Sequence, residues 1–371
     1  MSHVALFAGP GGGCTGAAAL GLTGLGIEWD QTACDTAEAA GHERLKADIA
    51  GLNPRDFGRP EGLTGTPPCQ GFSLAGKGRG RDDSLRLIAA VDELAAGRDP
   101  RDDLHESMKD DRSVLALEPL RWSLDLLPEW LFWEQVPAVL PLWTACGVAL
   151  QCAGYSVWTG YVNAERYGVP QTRKRAVLIA SRNRLVDMPA PTHSKYHVND
   201  RTKLDPGVLP WISMAEAIGR GMTQRPSMTV TGGGTATGGA EPFGNAARQG
   251  MRRELEAGRW LPDWCHTSPA PTVAGDPRIA PRGCKHPREG CCSKWDGTPG
   301  LQFGPGTVRV SVAEAACLQS FPDSYPWQGK QGAQFRQVGD AVPPVLAMHA
   351  ISEATGIPVP VTASDREEFV A

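Results

Sequence analysis

The chain has 371 residues, 41% hydrophobic and 21% charged, with 44 glycines, 31 prolines and a formal net charge of −4. This composition fits a folded chain of about two domains and excludes disorder, collagen-like repeats and low-complexity sequence. No apolar run reaches the roughly 18 residues of a membrane-crossing helix, and the acidic balance argues against a protein that coats nucleic acid indiscriminately.

In chain order, His3–Ala8 (HVALFA) reads as a buried strand, entered directly from Met1-Ser2 with no basic segment or cleavage signal. A cytoplasmic protein is therefore expected, with its 10 cysteines as thiols rather than disulfides. Gly9–Gly13 follows the strand, and a helix begins over Ala17–Leu22. Gly26–Asp30 (GIEWD) ends a second strand, Thr32–Ala40 is helical, and Glu61–Gly65 leads into a Pro-Pro loop. Ser84–Lys109 is charged and partly helical and reads as an insertion between core elements. Trp130–Trp133 (WLFW) is another buried strand, followed by a helix over Val139–Ala153 and strands at Ser156–Val162 and Ala176–Ala180. Strand–helix alternation at this spacing predicts an α/β fold, a Rossmann-like, doubly wound, mostly parallel sheet with helices on both faces. Beyond residue 185 glycine and proline dominate, and a second, irregular domain is expected over 186–331. Order returns over 332–371, with a helix at Pro344–Ala354.

Several residues carry chemistry. Glycines at 9, 11, 12 and 13 between strand and helix let a ligand approach the backbone, and Gly11-x-Gly13-x-x-Gly16 fits the dinucleotide fingerprint. Glu28, ending the second strand, can accept hydrogen bonds from ribose hydroxyls. This pattern does not separate a nicotinamide from another adenosyl cofactor. Cys69, in Thr66-Pro67-Pro68-Cys69-Gln70-Gly71, sits on a stiff loop where a thiol can serve as a nucleophile if cationic help is near. Glu134 follows the WLFW strand at the end that faces the ligand crevice of such sheets. In Gln171-Thr172-Arg173-Lys174-Arg175, alternation places Gln171, Arg173 and Arg175 on one inward face of the strand that continues into Ala176–Ala180.

Together these residues resemble the cytosine-5 DNA methyltransferases of bacterial and phage type, over nearly the whole chain and in the family's order. Its cofactor loop matches Phe7-Ala8-Gly9-Pro10-Gly11-Gly12, its acidic-aromatic pair Glu28-Trp29, its next acidic contact Asp48-Ile49 and its nucleophile motif Pro67-Pro68-Cys69-Gln70. Glu134-Gln135-Val136, Gln171 to Arg175, Glu314 to Pro322 and Gln337 to Pro344 supply the remainder. The resemblance implies a class I methyltransferase fold with a target-recognition domain, S-adenosyl-L-methionine as cofactor and double-stranded DNA as substrate. It implies Cys69, Glu134, Arg173 and Arg175 as the catalytic set. It places the cofactor among Phe7, Gly9, Gly11, Gly12, Glu28, Trp29, Asp48, Ile49, Pro68, Asp340 and Ala341. Gln70, Ser73, Gln171, Arg79 and Arg81 would meet the substrate, with Arg248, Arg252 and Arg253 in the recognition region. A monomer is expected, nucleoid-associated; a companion restriction endonuclease, a solitary modifier and a phage-borne one all stay open.

The chain departs from the family at Gln135 and Asp340, where Asn is usual, and lacks an aromatic near Gly13-Cys14. No metal is expected. Cys284, His286, Cys291 and Cys292 have zinc-ligand side chains, but they contain no Cys-x-x-Cys pair. The alternatives are the same fold acting on RNA, and a nicotinamide-dependent oxidoreductase using the glycine loop. Charge is local: residues 186–331 hold 16 basic and 13 acidic residues, and 166–186 hold six basic and no acidic ones.

Overall fold

The computed structural model describes residues 3–68, 84–108, 110–197, 200, 202–218, 270–271 and 311–360. In chain order the elements are β1 (His3–Leu6), α1 (Gly12–Ala19), β2 (Gly24–Glu28), α2 (Gln31–Ala39), β3 (Arg44–Lys46) and β4 (Gly62–Gly65). Next come α3 (Ser84–Ala95), α4 (Arg101–Ser107), α5 (Glu118–Leu126), β5 (Trp130–Gln135), α6 (Leu140–Cys152) and β6 (Ser156–Asn163). Then follow β7 (Gln171–Thr172), β8 (Lys174–Ser181), α7 (Met214–Ile218), β9 (Ala270–Pro271), α8 (Val312–Leu318), α9 (Gln331–Asp340) and α10 (Pro344–Thr355).

Two compact units are present. The first comprises 1–162, 174–190 and 342–371, and the second comprises 163–173 and 191–341. The expected division was 1–185, 186–331 and 332–371. In the first unit a seven-stranded sheet runs β3-β2-β1-β4-β5-β8-β6. Strands β1 to β5 pair in parallel, and β8 lies antiparallel to β5, with Glu134 opposite Val177 and Gln135 opposite Ala176. β1, β4 and β5 are buried along their whole length, as parallel strands covered on both faces must be. The order reverses between β1 and β4, so the ligand crevice of such a sheet opens at their carboxyl ends.

The segment expected as an insertion is part of this core. Leu87, Ala90, Val91 and Leu94 of α3 and Leu104 of α4 are buried in one cluster with Leu120 and Trp122 of α5 and Trp143 of α6. Their i, i+3, i+4, i+7 spacing gives α3 one apolar stripe, which packs against α6 while its charges face outward. On another part of the sheet, α1 meets α10. Gly16 allows that contact, since a Cβ there would lie 2.5 Å from the Pro344 carbonyl oxygen.

In the second unit, α8 begins with a reciprocal cap between Ser311 and Glu314. Gln319, just past its end, is buried and donates to the Val338 carbonyl at 2.7 Å. Phe321, Tyr325 and Trp327 pack with ring centroids 4.7 to 4.9 Å apart.

Candidate active site

The first unit gathers two groups of side chains at the carboxyl ends of its strands. One surrounds the turn from β1 into α1. Phe7 takes φ +56°, a conformation that costs a residue with a Cβ about 1–2 kcal/mol. It is held there from both sides: Ala8 N–H donates to the Ile27 carbonyl at 3.0 Å, and Thr66 Oγ1 donates to the Phe7 carbonyl at 3.0 Å. Gly11, at φ +107°, caps α1, and among the described residues no side chain accepts a capping hydrogen bond at the positive end of the helix.

Glu28 is buried and braces this turn. Its Oε2 accepts from Gly9 N–H at 2.9 Å, and its Oε1 accepts from Trp29 and Asp30 N–H at 2.9 Å each. Gly9 is held at its other polar group too, since Arg44 Nη2 donates to its carbonyl at 3.4 Å. Sequence reasoning missed Arg44. The register that sets it against Gly26 is the signal, because no larger residue at 26 would leave room for its guanidinium. Trp29 leaves 75% of its surface exposed beside the braced carboxylate. Asp48 is exposed and caps the short 3₁₀ turn Ile49–Gly51, its Oδ1 accepting from Ala50 N–H at 3.1 Å, while Ile49 is buried. Phe7, Gly9, Gly11, Gly12, Glu28, Trp29, Asp48 and Ile49 thus all fall at the ends of β1, β2 and β3 or in the turns that follow them.

The second group ends β5. Glu134 is buried, and its Oε1 lies 2.8 Å from Arg175 Nε on the antiparallel neighbour β8. An ion pair removed from water this way needs both partners, because either charge alone would be left stranded. Gln135, also buried, donates from Nε2 to the Pro67 carbonyl at 2.7 Å. The side chain that replaces the family's usual Asn therefore reaches across to the Pro-Pro segment. Pro68 is half-buried at the end of that segment. Lys174 points elsewhere, with its Nζ 3.9 Å from the centroid of the Tyr161 ring.

The basic motif does not form the continuous strand expected. Arg173 N–H donates to the Gln171 carbonyl at 3.0 Å, a tight turn at the break between β7 and β8, which belong to different sheets. Arg175 belongs to the first unit, while Gln171 and Arg173 belong to the second. Arg173 is buried there, and its guanidinium donates to the carbonyls of Gly339 at 3.1 Å and Ala341 at 3.0 Å. Gln171 Nε2 donates to the Leu318 carbonyl at 3.0 Å and to Gln319 Oε1 at 2.9 Å. These contacts tie Gln171 and Arg173 to their own unit's backbone. Asp340 ends α9 and is exposed, and Ala341 follows it, buried.

Cys69, Gln70, Ser73, Arg79 and Arg81 lie outside the described residues, as do Arg248, Arg252, Arg253, Cys284, His286, Cys291 and Cys292. Among the described residues no group of His, Cys, Asp and Glu is arranged to hold a metal ion, and no helix is long and apolar enough to cross a membrane.

A parallel sheet with this strand order, a single antiparallel strand beside β5 and a braced glycine turn after β1 defines a class I methyltransferase. Residues 1–101, 103–224 and 296–355 match the family described as C-5 cytosine-specific DNA methylase, and the chain belongs to that family. It is a DNA (cytosine-5)-methyltransferase, which removes the oxidoreductase alternative. It is 28% identical over 374 residues to the Type II methyltransferase M1.HphI of Haemophilus parahaemolyticus, covering 95% of this chain and 86% of the relative. It is also 28% identical to the Type II methyltransferase M.XorII of Xanthomonas oryzae pv. oryzae, over 81% of this chain and 68% of that one. Two solved structures share the fold. A DNA modification methyltransferase encoded within an E. coli prophage has a TM-score of 0.55 at 17% identity, covering 96% of this chain and 98% of that one. The S. pombe Dnmt2 methyltransferase has a TM-score of 0.56 at 15% identity, covering 95% and 98%.

Proposed function

We propose that the enzyme methylates carbon 5 of a cytosine flipped out of duplex DNA, using S-adenosylmethionine and a covalent adduct at Cys69. The observation that carries this reading is the buried Glu134–Arg175 pair, at the mouth of the crevice and beside the strand end that leads to Pro67-Pro68-Cys69.

The residues around the β1 turn fit the cofactor. The uncapped N-terminus of α1 suits a carboxylate, and the exposed Trp29 ring suits an adenine face. A carboxylate has about four acceptor sites. Glu28 commits itself to three backbone N–H groups, which leaves capacity for a ribose hydroxyl. Asp48, exposed at its cap, suits an adenine amino group. Bound S-adenosylmethionine supplies an electrophilic methyl group.

In the chain's part of the reaction, the Cys69 thiolate forms a bond to carbon 6 of cytosine, and the ring becomes an enamine that is nucleophilic at carbon 5. Glu134, in its protonated form, donates to ring nitrogen 3 as the Cys69 adduct forms, so that negative charge does not accumulate on the ring, and takes the proton back as Cys69 leaves. Arg175 holds Glu134 in place and offers a cation to the base oxygen and the thiolate. After carbon 5 is methylated, it loses its proton to a base and the electron pair expels Cys69 as thiolate. Carbon 5 and carbon 6 are shielded within the stack, so the base must leave the duplex at a cost of a few kcal/mol. The relatives' Type II names support a place in a restriction–modification system with a companion endonuclease; with it we propose a monomer acting in the cytoplasm.

Base-resolution sequencing of DNA from cells expressing the enzyme tests this reading. Methylated cytosines in one recurring sequence are expected. Unmodified DNA alongside methylated RNA would transfer the proposal to RNA.

A further inference from the structure

Behind the Asp48–Ile49 corner lies a set of charges that the proposed chemistry does not use. Glu118, which opens α5, is fully buried, and a carboxylate buried without partners is costly. Two arginines meet it. Arg101, which opens α4, places Nη1 2.7 Å from Oε1. Arg121, one turn along α5, places Nε 2.9 Å and Nη2 2.7 Å from Oε2. Asp99 grips the outer edge of the Arg101 guanidinium, with Nε 2.9 Å from Oδ1 and Nη2 2.7 Å from Oδ2. That hydrogen bonding holds the Asp99 carboxyl below its ordinary range.

Each arginine also holds backbone. Arg101 Nη1 donates to the Ala50 carbonyl at 2.8 Å. Arg121 Nη2 donates to the carbonyls of Leu52 at 3.1 Å and Ile49 at 3.3 Å. All three carbonyls belong to the turn that Asp48 caps, or to its closing residue. Ile49 packs into the core, and these bonds fix the backbone on either side of it. Arg101 comes from the segment that reads in sequence as an insertion.

We infer that Arg101 is a positioning residue for the cofactor: by holding the Ala50 carbonyl against Glu118 and Asp99, it fixes the Asp48–Ile49 corner and sets affinity for the adenosyl end. The inference rests on the S-adenosyl reading above. Calorimetric titration of the whole protein with S-adenosylhomocysteine, and with 5′-methylthioadenosine, which lacks the amino-acid end, tests it. Arg101→Met is expected to weaken both ligands about tenfold. KM for S-adenosylmethionine should rise by the same factor while kcat at saturation stays within about twofold, and Arg101→Lys should recover part of the loss. A folded Arg101→Met variant with a lower unfolding midpoint and unchanged affinity overturns the inference, as does weakening of S-adenosylhomocysteine alone. If Arg101→Met does not fold, Asp99→Asn decides, because Asp99 is largely exposed and its loss leaves the buried Glu118 pairs intact. Asp99→Asn should weaken both ligands about threefold, and unchanged affinity overturns the inference. Wild-type protein that binds neither ligand overturns the cofactor reading as well, whereas wild-type binding with unaffected variants overturns this inference alone.

Discussion

Glu134 and Gln135 are consecutive on β5 and reach opposite neighbours, one the guanidinium of Arg175 and the other the carbonyl of Pro67. Their division of labour separates chemistry from placement. Cys69→Ala should abolish methyl transfer while S-adenosylhomocysteine still binds, and retained turnover would rule out the covalent route. Gln135→Ala should leave the buried Pro67 carbonyl without its donor and lower kcat about tenfold at unchanged cofactor affinity, because a small displacement of a nucleophile is costly. Gln135→Asn, one methylene shorter, should fall between the two, and single-turnover kinetics distinguishes the three. Glu28 and Glu134 were legible in sequence because charged residues at the ends of apolar strands must stand at the crevice, whereas Arg175 opens its apolar run and meets Glu134 because β8 lies antiparallel to β5. The placement of Arg173 was not legible. Its alternation with Arg175 predicted a shared face, and the tight turn to Gln171 that separates them depends on contacts far along the chain.

Among the elements, β1, β2, β5, β6 and β8 and helices α1, α2, α6 and α10 were readable from apolar runs and their spacing, with ends shifted by a few residues, whereas β3, a three-residue strand, and α5 were not read. The direction of β8 was not readable. A strand buried on both faces shows the same unbroken apolar run whether it lies parallel or antiparallel. How the α3–α4 segment packs stayed open because its charges are prominent in sequence, while its apolar stripe becomes decisive only against α6. Leu87→Ala should therefore destabilise the fold by about 2–5 kcal/mol, as for a core position and unlike a surface insertion. Urea unfolding measures this, and a loss under about 0.5 kcal/mol would return the segment to the periphery.

For the molecule as a whole, acid should loosen the catalytic unit before its carboxylates titrate. His3 is buried, and desolvation, first of all, pushes its pKa down from 6.5 to about 4. His42 is pushed down to about 4 mainly by burial and next by Arg44. Both groups bind protons more readily when unfolded. The stability they allow is complete above pH 6.5 and is lost as pH falls from 6.5 to about 4. Unfolding midpoints across that window should drop steeply, and His3→Gln should flatten the profile. A slope unchanged by His3→Gln would remove His3 from the account. The distribution of charge bears on DNA binding in the same way. A net charge of −4, with Arg173 buried on backbone carbonyls and Arg175 paired to Glu134, predicts modest non-specific affinity that falls with salt.

The contact between Gly16 and Pro344 joins the first helix of the catalytic unit to the last described one. During synthesis α1 leaves the ribosome long before the helix that covers it. Until α10 arrives, the glycine turn and Glu28 rest on a sheet with one apolar surface open. The catalytic unit therefore cannot finish packing early, and any message cut short before Pro344 should yield a chain that chaperones retain and proteases remove.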